Sequence, residues 1–203
     1  MNQNKTWAPV LLAAVLVACG GRTGLSWSDD FSNPGTWQGE SDATAQVAVQ
    51  DGVLRVYIAV PNQLAWAVAG QDLRDFHLTV EATQVAGPDD NEYGVLVRMR
   101  DHSNFYRFSI SGDGYFLVSK FVDGRQEFLG ANWTPSEAIH RGQATNVVEV
   151  VCQGSTLTFI VNGRQLAQVE DDQFARGDIG LYAGSFYERG VEVHFDNLSV
   201  AEP

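Results

Sequence analysis

The sequence predicts an all-β protein, folded as a two-sheet antiparallel sandwich or jelly roll. Three observations predict it. Segments of five to ten residues rich in Val, Ile, Phe, Tyr and Thr recur from Trp27 onward. Turn dipeptides fall between them, and no stretch sustains the spacing of an amphipathic helix. Many short strands without strand–helix alternation bury their apolar faces by stacking one sheet on another.

About twelve to fourteen strands are expected, at 45–50, 53–60, 64–69, 76–85, 93–101, 104–111, 114–122, 125–129, 146–152, 155–161, 164–170, 178–184 and 191–200. Asp51-Gly52, Asp123-Gly124 and Asn162-Gly163 each sit between two alternating runs. Such pairs tolerate the positive φ angles of a two-residue hairpin turn. Gly112-Asp113-Gly114 marks a further hairpin, between Phe105 and Val122. The segment 134–142, opening with Thr134-Pro135-Ser136-Glu137, is expected to make one short turn of helix.

The chain begins differently. Lys5 precedes an apolar run from Trp7 to Val17, too short to span a bilayer, and Leu16-Val17-Ala18-Cys19 closes it. This resembles a bacterial lipoprotein signal, which implies removal of residues 1–18 and lipidation of Cys19. Residues 19–26 then form a short tether and 27–203 the sandwich. Export to the cell envelope and membrane attachment through the lipid on Cys19 are the corresponding expectations.

The 203 residues carry 25 Asp+Glu against 13 Lys+Arg, a net charge of −12. So acidic a body argues against nucleic acid as a partner. With Cys19 committed to the anchor, Cys152 has no disulfide partner. It lies in the run Val147-Val148-Glu149-Val150-Val151-Cys152, where a small buried thiol is expected.

Alternation separates the two sides of each strand. Phe76, Leu78 and Val80 oppose His77, Thr79, Glu81 and Thr83. Tyr93, Val95, Val97 and Met99 oppose Leu96, Arg98 and Arg100. Tyr106, Phe108 and Ile110 oppose Phe105, Arg107 and Ser109. The first set of each is expected in the core. The second sets together bear Glu81, Arg98 and Arg107, with Lys120 near by. Either these charges pair across a solvated sheet, or they line a concave polar groove in which planar Arg donors grip hydroxyls or carboxylates. Tyr182, in Gly180-Leu181-Tyr182-Ala183-Gly184, would stand beside such a groove. Trp133, in the loop-like Gly130–Pro135, would offer a stacking face, while Trp66 and Tyr187 lie near strand ends.

Other chemistries lack their signatures. The four histidines are scattered, no Gly-x-Ser-x-Gly elbow occurs, and Gly112-Asp113-Gly114 does not open a helix.

Asp29-Asp30-Phe31 with Trp37, then Tyr93-Gly94-Val95-Leu96-Val97-Arg98, Asn104-Phe105-Tyr106 and Gly112-Asp113-Gly114-Tyr115-Phe116, form an ordered series. Val161-Asn162-Gly163, Gly177-Asp178-Ile179-Gly180-Leu181 and Phe195-Asp196-Asn197-Leu198-Ser199-Val200 complete it. The series resembles the concanavalin A-like lectin/glucanase domains, and among them the exported group of the 3-keto-disaccharide hydrolase domain. That resemblance implies a jelly roll binding carbohydrate or another envelope ligand on its concave face, through Glu81, Arg98, Arg107, Tyr182 and Trp133. It leaves open a sugar-cleaving enzyme of the keto-disaccharide type, with Glu81 as base, or a spacer domain without a small ligand. The Glu-x-Asp-x-Glu strand of family 16 glucanases is missing, which argues against their two-carboxylate mechanism. No cofactor is required, but the resemblance implies a structural calcium held by Asp30, the Gly52 carbonyl and Asp196.

Overall fold

A computed structural model describes residues 25–35 and 37–203. Cys19, with the signal and most of the tether, lies outside the described residues. Sixteen strands follow one another: β1 (Ser26–Asp29), β2 (Gln38–Gly39), β3 (Ala45–Gln50), β4 (Val53–Ile58), β5 (Gln63–Val68), β6 (Phe76–Ala86), β7 (Asn91–Asp101) and β8 (Asn104–Ile110). Then come β9 (Tyr115–Val122), β10 (Arg125–Phe128), β11 (Thr134–Pro135), β12 (Thr145–Gln153), β13 (Thr156–Val161), β14 (Arg164–Glu170), β15 (Asp178–Ser185) and β16 (Val191–Ala201). They build two antiparallel sheets. The first runs β14-β13-β12-β6-β16-β4-β3, with β1 added on β16; the second runs β10-β9-β8-β7-β15-β5-β2, with β11 added on β9.

The hairpin dipeptides adopt the backbone expected of them. Asp51 and Gly52 have φ of 52° and 78°, Asp123 and Gly124 51° and 76°, and Asn162 and Gly163 51° and 75°. Two consecutive positive φ angles match the right-handed twist of the flanking strands. The segment at 134 departs from expectation. Thr134 and Pro135 extend against Phe116 and Tyr115, and the residues after them are turns rather than helix.

Between the sheets lies the core, with Phe76, Leu78, Val80, Tyr93, Val95, Phe108, Val150, Phe159 and Phe195 fully enclosed. Each such apolar side chain contributes on the order of 1.5–3 kcal/mol of burial. Cys152 is enclosed as well, and burial pushes its thiol up to about 12 against the pull of the Arg98 charge.

One strand breaks its own alternation. Between Leu96 and Met99 the β7 strand carries one residue more than its partner β15, where Gly180 pairs with Leu96 and Asp178 with Met99. The pairing of β7 with β8 shifts at the same place, and Arg98 takes a φ of 49°. This is a β-bulge, and an extra residue exchanges the two faces for everything beyond it. Met99 therefore leaves the core side and joins Leu96 outside. Arg98 moves the other way, into the end of the sandwich.

Candidate functional site

The outer face of the second sheet carries a cluster of enclosed polar side chains, Glu92, Arg107, Ser109 and Tyr182. Arg107 on β8 pairs across the sheet with Leu96 on one side and Ser119 on the other. Its guanidinium lies 3.2 Å from the Glu92 carboxylate and 5.0 Å from the centre of the Phe121 ring. The Tyr182 ring, 5.9 Å away, belongs to the same group. Tyr182 pairs with Gly94, whose other neighbour is Ser109. Because Gly94 has no side chain, the ring crosses over it, and the hydroxyl bonds Ser109 Oγ as well as Glu92 Oε2 (3.3 Å). Gly184 clears the space beside Glu92: a Cβ there would collide with Leu64 and come within 3.0 Å of Glu92 Cγ.

These groups are unusually dry for the outside of a sheet. Glu92 is 5 % exposed, Arg107 4 % and Tyr182 1 %. Burial raises the Glu92 carboxyl above the usual carboxylate range, although Arg107 and Tyr182 both favour its ionised form. Burial and the Glu92 charge hold the Tyr182 phenol far above its ordinary value. Arg107 Nε and Ser119 Oγ, on residues paired across β8 and β9, are enclosed without a hydrogen-bond partner.

Above Glu92 and Arg107 opens a pocket of about 320 Å³. Trp133 and Phe186 meet edge to face at its wall, their centres 6.0 Å apart, and Gln63, Gln126 and Asn132 supply amides. A larger trough of about 710 Å³ lies alongside, over Leu64, Trp66 and Val68.

The fold thus brings Arg107, Tyr182 and Trp133 to one face and separates the other two expected residues from them. Glu81 does not belong to this groove. It stands on β6 in the first sheet, accepts a hydrogen bond from Asn197 Nδ2 (3.1 Å), and faces away from Arg107 across the whole sandwich. That surface is the one with polar pairs across a solvated sheet, the Arg55–Glu192 ion pair at 2.8 Å and the His77–Glu149 hydrogen bond at 2.9 Å. Arg98 is not in the groove either. The bulge carries it inward, fully buried, where it donates to the Arg74 and Phe174 carbonyls (3.1 Å each) and to Asp75 (3.3 Å). Lys120 pairs with Tyr106, a core-facing position, and binds Asp171 at 2.6 Å. Glu92 was not foreseen, yet its signal was present: it shares the parity of Gly94 and Leu96, one residue before the expected start of the strand.

The residues proposed for calcium reach a common corner, since β1 runs against β16 and Leu54 of β4 pairs with Phe195. Their carboxylates are turned to local backbone instead. Asp30 accepts from the Ser32 N–H (3.1 Å), Asp196 from the Asn197 N–H (2.7 Å), and Gly52 forms the β3–β4 turn. Among the described residues no group of three or more His, Cys, Asp and Glu side chains is gathered for a metal.

A family model described as the 3-keto-alpha-glucoside-1,2-lyase-like domain matches residues 26–201. The chain belongs to that family. No curated protein matches this lyase-like domain. Among solved structures it is similar to the carbohydrate binding module CBM66 from Bacillus subtilis, at 15% identity with a TM-score of 0.65, over 84% of this chain and 98% of that one. It is also similar to the Bacillus licheniformis beta-glucanase, at 11% identity and a TM-score of 0.65, over 90% and 100% of the two chains. The likeness to the GH43 BlXynB protein of Bacillus licheniformis, at 14% identity and a TM-score of 0.60, covers 87% of this chain but 39% of that protein. At these identities the likeness is one of fold. The lyase-like domain is a jelly roll of the concanavalin A-like kind, an architecture shared by carbohydrate-binding modules and glycoside hydrolases.

Proposed function

We propose that the lyase-like domain binds a saccharide in the pocket over Glu92 and Arg107. The observation that carries this is the pocket's composition: a buried, planar polar floor beneath an aromatic wall of Trp133, Phe186 and Phe121. A sugar ring offers apolar C–H faces for such a wall and hydroxyls for such a floor. The site is proposed to work in the cell envelope, on a protein held by lipid at Cys19.

Titration calorimetry with neutral gluco-oligosaccharides tests it. Trp133→Ala is expected to weaken binding about tenfold, the equivalent of about 1.4 kcal/mol. Arg107→Lys keeps the charge but loses the planar fork, and should weaken binding at least as much. Unaltered affinity in both variants refutes the site.

A second reading is favoured by one observation, the raised carboxyl of Glu92 in contact with Arg107. On a 3-keto glucoside that carboxylate is a stronger base than an exposed one, suited to taking the proton on the carbon beside the ketone. Arg107 then faces the developing enolate oxygen; as the enolate collapses to the unsaturated ketone its electron pair expels the glycosidic oxygen, which takes back the proton held by Glu92. Glu92 replaces Glu81 in this role. Turnover of a 3-keto disaccharide that disappears in Glu92→Gln, with binding retained, distinguishes the enzyme from the binding module.

A further inference from the structure

The pocket and the trough are not separate hollows, because Gln63 and Leu64 line both. β5 carries this shared rim and continues outward through Trp66 and Val68, which form the trough floor. Trp66 lies edge-on to His102 at 5.6 Å, and His102 closes one side from the β7–β8 hairpin. The opposite side is β2 with the turn behind it.

The polar groups of the trough differ in how far they are occupied. Asp42 and Ser41 hold their own turn, Asp42 accepting from Thr44 at 2.7 Å and Ser41 donating to the Val47 carbonyl at 3.1 Å. Gln38, Glu40 and His102 also line the trough, and their side chains form no hydrogen bond among the described residues. The trough is also electrostatically one-sided. Glu40 and Asp42 line it, and no Lys or Arg does. The Arg107 pocket, in contrast, holds one charge of each sign.

We propose that the trough is a second subsite of the same groove, taking a further ring of the ligand on Trp66, and that it selects an uncharged or cationic ring against a uronic acid. The proposal rests on the saccharide reading of the Arg107 pocket. An aromatic floor stacks on the apolar face of a ring, and free amide, imidazole and carboxylate groups receive its hydroxyls. A uronate placed there meets two carboxylates with no counter-charge, a repulsion that acts as specificity rather than affinity.

The test compares methyl glucoside with cellobiose, maltose, trehalose and cellotriose, and with glucuronic-acid-terminated counterparts, on an array and then by calorimetry on the whole protein. Affinity is expected to rise about tenfold or more from one ring to two or three for the fitting linkage. Trp66→Leu, which keeps the apolar volume, should remove that gain and leave methyl glucoside within about twofold of its original affinity. Glu40→Gln should improve binding of the uronic probes selectively. Equal affinity for one ring and for several, uronic probes binding as tightly as neutral ones, or a Trp66→Leu variant that weakens every probe alike at unaltered melting temperature, overturns the second subsite while the Arg107 site stands. Binding of none of the probes overturns the saccharide reading and the subsite with it.

Discussion

Glu92 shows how a single carboxyl records its surroundings. Burial raises it, so in the folded state it holds its proton to a higher pH than in the unfolded chain. Its contribution is fully present below the ordinary carboxylate range and is lost as pH rises through the higher folded value. Glu92→Gln removes that dependence. Urea unfolding of the two proteins at about pH 4.5, 6 and 7.5 should therefore show the advantage of the native residue shrinking as pH rises. A difference that grows with pH refutes the assigned direction. Tyr182→Phe leaves Ser109 and Glu92 short of one buried partner, and is expected to cost about 1–2 kcal/mol in the same measurement. Cys152 records burial too. With its thiol pushed up to about 12, it should resist iodoacetamide at about pH 8 until the protein unfolds.

At the level of the strand, legibility follows parity. Tyr106, Phe108 and Ile110 point inward and Phe105, Arg107 and Ser109 outward, as simple alternation on β8 requires. The same argument fails on β7 at Arg98. A one-residue bulge leaves no mark on a run that reads Val95-Leu96-Val97-Arg98-Met99, so Arg98 and Met99 exchange faces unannounced. Glu81 fails for a different reason. β6 and β7 are consecutive in the chain but lie in opposite sheets, and strand order is decided by long-range pairing that alternation does not encode. Glycine matters here as an absence of side chain. A Cβ on Gly94 would strike the Phe108 carbonyl oxygen on the neighbouring strand. Gly94→Ala is thus expected to lose more than about 2 kcal/mol of stability, read as a lowered denaturation midpoint. An unaltered midpoint would show that β7 and β8 can part at Phe108 without cost.

Across the whole molecule, the two sheets are clasped at one end by charges that are wholly or partly buried. Asp171, just beyond β14 in the first sheet, takes hydrogen bonds from Tyr106 and Lys120 of the second at 2.6 Å each. Arg98 grips the same connection at Phe174 and reaches Asp75, which in turn accepts from the Gly154 N–H (2.8 Å). Burial works to raise the Asp171 carboxyl, but the bonds from Lys120 and Tyr106 outweigh it and leave it below the usual range. Its stabilisation is present above the unfolded carboxylate value and is lost as pH falls through the lower folded one. Asp171→Asn should cost about 2 kcal/mol near neutrality, and the deficit should vanish toward about pH 2. A deficit that persists in acid assigns the loss to packing instead. Glu92, Arg107, Tyr182 and Ser109 stand on strands whose register fixes them, whereas Trp133 and Phe186 arrive on connections outside β10 and β15. Floor and rim are thus independent modules: replacing segments 129–133 or 186–190 would exchange one ligand preference for another without asking the sandwich to find a new fold.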